Sequence, residues 1–144
     1  MSSEMSFRLT PELLQKAMKG EQNAIAGYEA MKAMTNDSGH LRTLDHIISD
    51  ERKHLMKFED IYRRRFGAVP DGSPAMEPPA CMLMDCIRRS VEDELASYEM
   101  YRNIYLDNGG EQVRQPFFEA MTDENEHAIR LNMMFARELE KRVM

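Results

Sequence analysis

A five-residue stretch that occurs twice limits what this chain can fold into. Asp50-Glu51-Arg52-Lys53-His54 is answered 73 positions later by Asp123-Glu124-Asn125-Glu126-His127. The same step carries Glu21 onto Glu94 and Tyr28 onto Tyr101. A register held across half of 144 residues predicts one structural unit built twice.

Periodicity says what the unit is. Thr10-Pro11-Glu12 has the chemistry of a helix start: a capping hydroxyl, a proline in the first turn and an acid at the positive dipole end. Leu13, Leu14, Ala17, Met18, Ala24, Ile25, Tyr28, Met31 and Met34 then recur at three- and four-residue steps to a turn cluster at Thr35–Gly39. Gly20 and Gly27 flank Glu21 and Tyr28 inside this helix, where small residues predict close approach of a neighbour. A second helix spans Gly39 to Phe66, with Leu41, Leu44, Ile47, Ile48, Glu51, His54, Leu55, Phe58 and Ile61 inward. Residues 67–79 hold four prolines and cannot continue a helix, so they read as a crossover. A third helix is expected from Ala80 to Leu106, with Met84, Ile87, Val91, Glu94, Leu95, Tyr98, Tyr101 and Ile104 inward. A fourth follows the Asp107–Gly110 turn nearly to the end, with Pro116 marking its first turn or kinking it. The expected fold is all-α: a polar tail over 1–9, then one four-helix bundle over 10–144, made of hairpins 10–66 and 80–144 joined by crossover 67–79.

Glu51 with His54, and Glu124 with His127, replace apolar residues on the buried stripes. Residues three apart on a helix share a face, so each pair can reach one centre. Glu21 and Glu94 add one carboxylate from each remaining helix. One Glu from two helices and Glu-x-x-His from the other two is the ligand pattern of dimetal carboxylate bundles. Charge agrees, because four buried carboxylates repel and cost several kcal/mol each in desolvation, whereas two divalent cations neutralise them. Oxygen-rich ligands with one imidazole per metal favour iron or manganese over structural zinc.

Composition removes other classes. A net charge of −6 disfavours a nucleic-acid binder. No window approaches the ~18–20 apolar residues of a membrane span, and the start has no secretory pattern, so a cytoplasmic location is expected. Cys81 and Cys86 are expected on different faces of the third helix, as reduced, half-buried thiols. The fourteen methionines read as flexible core filler. His40 is expected at the surface, and His46 as an ordinary helix histidine that could face the edge of the site.

At Glu21 with Tyr28, Asp50-Glu51-x-x-His54, Glu94 with Tyr101, and Asp123-Glu124-x-x-His127, the chain resembles the ferritin-like superfamily and, within it, the rubrerythrin-like proteins. The resemblance implies a di-iron centre in which Glu51 and Glu124 bridge, Glu21 and Glu94 are terminal ligands, and His54 and His127 cap one metal each. Asp50 and Asp123 would each hold the ligand histidine of the opposite hairpin through its free ring nitrogen. Tyr28 and Tyr101 would hydrogen-bond ligand carboxylates or act in one-electron transfer. The implied activity is reduction of peroxide or O₂ with oxidation of Fe(II), in a homodimer fed by a separate electron-donor protein such as a rubredoxin-like carrier. Alternatives are a ferritin-like iron store, a manganese catalase-like protein and a helical scaffold with a vestigial site. This sequence has no rubredoxin-type cysteine pairs, and Ser97 stands where rubrerythrins carry an additional Glu, which leaves a rubrerythrin-type peroxidase cycle open.

Overall fold

The computed structural model describes residues 6–72, 74–78 and 80–143. Four α-helices account for the described secondary structure: α1 (Pro11–Lys32), α2 (Ser38–Phe66), α3 (Leu83–Asp107) and α4 (Glu111–Val143). Helix α1 starts as its sequence dictates, with the Thr10 hydroxyl accepting from the Leu13 amide at 3.1 Å. Helix α2 is capped by Asp37, whose Oδ1 accepts from the amides of Gly39 and His40 at 2.9 and 3.2 Å. It ends at Gly67, where φ is +99°, a conformation open to glycine at little cost. Gly110, at φ +83°, makes the corresponding turn into α4.

Pro116 lies inside α4, as its sixth residue, not in the first turn. Its missing N–H leaves the Gln112 carbonyl without a helical donor, and Gln112 is exposed, so water can replace it. The polar tail is more engaged than its composition suggests. Phe7 and Leu9 pack against the core, and their amides donate to Asp107 Oδ2 at 2.8 Å and Asn108 Oδ1 at 3.0 Å.

The helices pair as α1 with α2 and α3 with α4, and the hairpins meet chiefly through α2 and α4. Apolar packing forms two clusters. One gathers Leu14, Phe58, Ile61, Tyr101, Ile104 and Phe117, with the Phe58 and Phe117 rings stacked 4.7 Å apart. The other gathers Tyr28, Met31, Leu44, Ile47, Ile87 and Leu131. Apart from His40, the buried polar residues fall between these clusters along each helix. Leu95 and Met34, expected inward, are instead 43% and 39% exposed.

Four expectations are corrected. The third helix begins at Leu83, not Ala80, because Met82 is its extended N-cap. Cys81 therefore precedes the helix, and the face argument, which assumed both cysteines on it, does not apply. The two Cα atoms lie 5.7 Å apart and the sulfurs form a disulfide. Disulfides belong mainly to oxidising compartments, so the cysteines lend no support to a reducing one. His40 is buried, not superficial, with Nε2 2.7 Å from Glu138 Oε1. Gly20 and Gly27 do not admit a neighbouring helix: a Cβ built on either meets nothing within 4 Å. Among the described residues no helix is long and apolar enough to cross a membrane.

Asp37 joins both ends of this frame, because its Oδ2 also lies 2.8 Å from Lys141 Nζ and from Arg137 Nε near the end of α4. Lys141 and Arg137 hold its carboxyl well below its ordinary value of 3.8. A depressed carboxylate pKa stabilises the fold above the unfolded value and ceases to do so as pH falls through the folded one. Asp37→Asn, which keeps a capping side chain, is expected to melt below wild type at pH 7, with the gap closing as the pH is lowered past the carboxylate range. A gap independent of pH would show that the ion pairs contribute nothing. Gly20→Ala fills empty space on a helix and is expected to raise stability in chemical denaturation by about 0.5–1 kcal/mol.

Candidate metal centre

Glu21 from α1, Glu51 and His54 from α2, Glu94 from α3, and Glu124 and His127 from α4 converge between the two apolar clusters. None is more than 2% exposed. They form two overlapping groups, Glu21, Glu51, His54 and Glu124, and Glu51, Glu94, Glu124 and His127, whose donor atoms lie within 4.8 Å of one another. Glu51 and Glu124 are common to both.

His54 Nδ1 lies 3.3 Å from Glu124, 3.4 Å from Glu51 and 3.6 Å from Glu21. His127 Nδ1 lies 3.2 Å from Glu51, 3.5 Å from Glu94 and 3.6 Å from Glu124. Yet one atom of every residue in the cluster is buried without a hydrogen-bond partner: Glu21 Oε2, Glu51 Oε1, His54 Nδ1, Glu94 Oε2, Glu124 Oε1 and His127 Nδ1. Buried polar atoms are seldom left unsatisfied, since each costs about 1–3 kcal/mol. Six such atoms aimed at one space, all of types that bind divalent cations, fit a pair of metal ions.

The other face of each ligand is occupied. His54 Nε2 lies 2.8 Å from Asp123 Oδ2, and His127 Nε2 lies 2.8 Å from Asp50 Oδ2. Each Asp therefore faces the histidine of the opposite hairpin, which directs Nδ1 inward. The tyrosines cross in the same manner. Tyr28 O–H donates to Glu94, and Tyr101 O–H donates to Glu21 Oε1 at 2.5 Å. All these crossed pairs follow one approximate twofold relation between the hairpins.

Charge is settled unevenly inside this cluster. Burial and the charge of Glu51 push the Glu21 carboxyl up to about 8. Burial, together with Glu51, Glu21 and Glu94, pushes Glu124 well above the usual carboxylate range. Burial would raise Glu51 too, but the neighbouring His127 and His54 imidazoles prevail and hold it low. Burial would depress His54, but its hydrogen bond to Asp123 and the nearby carboxylates of Glu21 and Glu51 raise it to about 12. His127 rises against its own burial to about 11 through Glu51 and Glu94. Burial first, then the adjoining carboxylates, raises both tyrosine hydroxyls, so Tyr28 and Tyr101 stay protonated donors.

The twofold relation breaks at the edge of the site. His46 Nε2 lies 2.8 Å from Glu126 and 3.3 Å from Asp50, and its ring stands edge-on to His127 at 6.1 Å. The corresponding position in the second copy is Glu119, which is paired with Lys57. Asp123 is 34% exposed against 15% for Asp50. The two-turn step from His46 to His54 is the sequence signal that puts His46 at this edge.

Helices α1 and α3 scarcely touch. A cavity of about 510 Å³ fills the gap, reaching Glu51, Glu94 and Glu124 and passing Gly20, Gly27 and Ser97. Part of the crossover, including Met76 and Pro78, also lines it. The crossover is held to α1 by the Met76 amide donating to Asn23 Oδ1 at 2.8 Å and by Lys19 reaching the Pro74 carbonyl. Gly20 and Gly27 thus help to keep an approach to the cluster open.

If Asp50 and Asp123 hold the ligand histidines, Asp50→Ala and Asp123→Ala should each weaken metal binding by about 10–100-fold in competition with a chelator. Unchanged affinity in both variants would leave the two Asp residues no such role.

The sequence matches the Rubrerythrin family over residues 12–135. No curated protein matches. Among solved structures, a hypothetical protein from Pyrococcus furiosus is 20% identical, with a TM-score of 0.78 over 90% of each chain. A two-domain protein from Anabaena variabilis, containing DJ-1/ThiJ/PfpI-like and ferritin-like domains, is 16% identical with a TM-score of 0.71; 90% of this chain covers 36% of that one. CopM in a Cu(II)-bound form is 12% identical with a TM-score of 0.74, over 90% of this chain and 98% of that one. These likenesses establish the fold, an all-α four-helix bundle of the ferritin-like kind. With its match spanning all four helices, the chain belongs to the Rubrerythrin family, a family of di-iron carboxylate proteins.

Proposed function

We propose that the chain is a di-iron redox protein that reduces peroxide or O₂ and oxidises Fe(II). The observation that carries this reading is the set of six orphaned ligand atoms within one buried cluster. Glu21, Glu51, His54 and Glu124 would hold one iron ion, and Glu51, Glu94, Glu124 and His127 the other. Bound iron would supply the one-electron steps and the Lewis acidity that the side chains lack.

The chain's own residues do the rest. Asp50 and Asp123 orient the imidazoles and keep Nδ1 free to bind. Tyr28 and Tyr101 hold Glu94 and Glu21 by hydrogen bonds, and burial keeps both hydroxyls protonated. The apolar clusters on either side keep bulk water out, so charge interactions within the site are strong. The cavity between α1 and α3 gives the oxidant its approach. A separate donor protein would return electrons after each turnover.

Ser97 lines that cavity as a half-buried hydroxyl. It presents a hydroxyl and no carboxylate to the cavity wall at this point of α3.

Stopped-flow mixing of the anaerobic Fe(II) protein with H₂O₂, and separately with O₂, tests the proposal through the near-ultraviolet absorption of oxidised iron. Oxidation by peroxide faster than by O₂ is the expected result. Glu51→Ala, which removes a carboxylate common to both halves, should abolish the signal while the helical circular dichroism remains. Failure of both oxidants to change the spectrum of the iron-loaded protein would contradict the proposal.

A further inference from the structure

The cavity that reaches the carboxylate cluster has a second reactive group in its wall. Cys81 and Cys86 line it at the end away from the cluster, joined as a disulfide between the crossover and the start of α3. Cys86, Ser90 and Glu94 follow at four-residue steps and form one stripe on α3. Each meets a partner on α1 or just past its C-terminal end. Cys86 Sγ lies 4.0 Å from Met34 Sδ, Ser90 Oγ lies 3.6 Å from Met31 Sδ, and Glu94 accepts from Tyr28. Three successive rungs therefore lead from the disulfide to a carboxylate of the cluster. The distance along α3 from Cys86 to Glu94 is about 12 Å at roughly 1.5 Å per residue. Electrons tunnel over such lengths in proteins.

From this juxtaposition we infer that Cys81 and Cys86 are a redox-active pair that returns electrons to the metal centre, and that the external donor is a dithiol. The inference rests on the reading that the cluster carries a redox-active metal pair. The balance is closed. Peroxide takes two electrons from the reduced centre and two protons, its O–O bond breaks, and two waters form. Cys81 and Cys86 restore the two electrons as their Sγ–Sγ bond forms and two thiol protons are released. The sum is one peroxide and two thiols giving two waters and one disulfide. A dithiol carrier then reopens the bond by exchange at Cys81, the more exposed sulfur, and is itself oxidised. A disulfide serving only to pin the crossover would not change its state with turnover.

The test uses the full chain, reduced with excess dithiol, desalted without oxygen and loaded with Fe(II). One equivalent of H₂O₂ is added, the mixture is acid-quenched and alkylated, thiols are counted by peptide mass, and Fe(II) is counted with a chelator. The expected result is one Cys81–Cys86 disulfide per peroxide consumed, with the iron recovered as Fe(II). Disulfide formation should be at least about tenfold slower in the metal-free chain, since thiols without activation react slowly. In Cys86→Ser the iron should instead remain ferric. Ferric iron beside free thiols in the wild type would overturn this inference and leave the di-iron reading standing. Equal rates with and without metal would also overturn it. Iron that stays ferrous with peroxide unconsumed would overturn the di-iron reading, and this one with it.

Discussion

Four carboxylates held at the waist of a narrow helical bundle are the constraint from which the rest of the structure follows. Glu21, Glu51, Glu94 and Glu124 are each at most 2% exposed, and one oxygen of each has no hydrogen-bond partner. A buried carboxylate must be neutralised by protons, by imidazolium or by a cation. The crowded site shows the first two solutions at once, with Glu21 and Glu124 pushed towards the protonated form and His54 and His127 raised towards imidazolium. Two divalent ions would replace both with direct bonds to the atoms now without partners.

The hairpins depend on each other for this site. Asp123 faces His54, Asp50 faces His127, Tyr28 bonds Glu94 and Tyr101 bonds Glu21, so each hairpin orients groups of the other. Half a bundle could not assemble the cluster. Contact between α2 and α4 brings the hairpins together, while the gap between α1 and α3 leaves a cavity. Packing is thus unequal on the two sides, closed beside the histidines and open over Glu51, Glu94 and Glu124. His46 beside Asp50, against Glu119 with Lys57 on the other side, makes the two halves chemically distinct.

Most of the fold was legible because helical periodicity and caps are local properties. Thr10 with Pro11, the prolines of the crossover and the Asp107–Gly110 turn each act within a few residues. The convergence of the six side chains was legible for another reason: the 73-residue register ties distant positions together without knowledge of the packing. Where a conclusion depended on one or two residues at an element boundary, sequence reasoning failed. Starting α3 at Ala80 put Cys81 on a helix and hid the disulfide. His40 looked superficial because its partner, Glu138, is 98 residues away. Gly20 and Gly27 carried the right signal, an absence of side chain, but the space they leave is a cavity and not a helix contact.

The central claim is that six side chains bind a pair of metal ions, and counting bound metal tests it most directly. Protein purified without added metal, reconstituted anaerobically with Fe(II) and passed through a desalting column, is to be assayed for iron per chain. The account predicts two ions per chain, falling below one in Glu51→Ala. Fewer than one ion per chain in the wild type would contradict it.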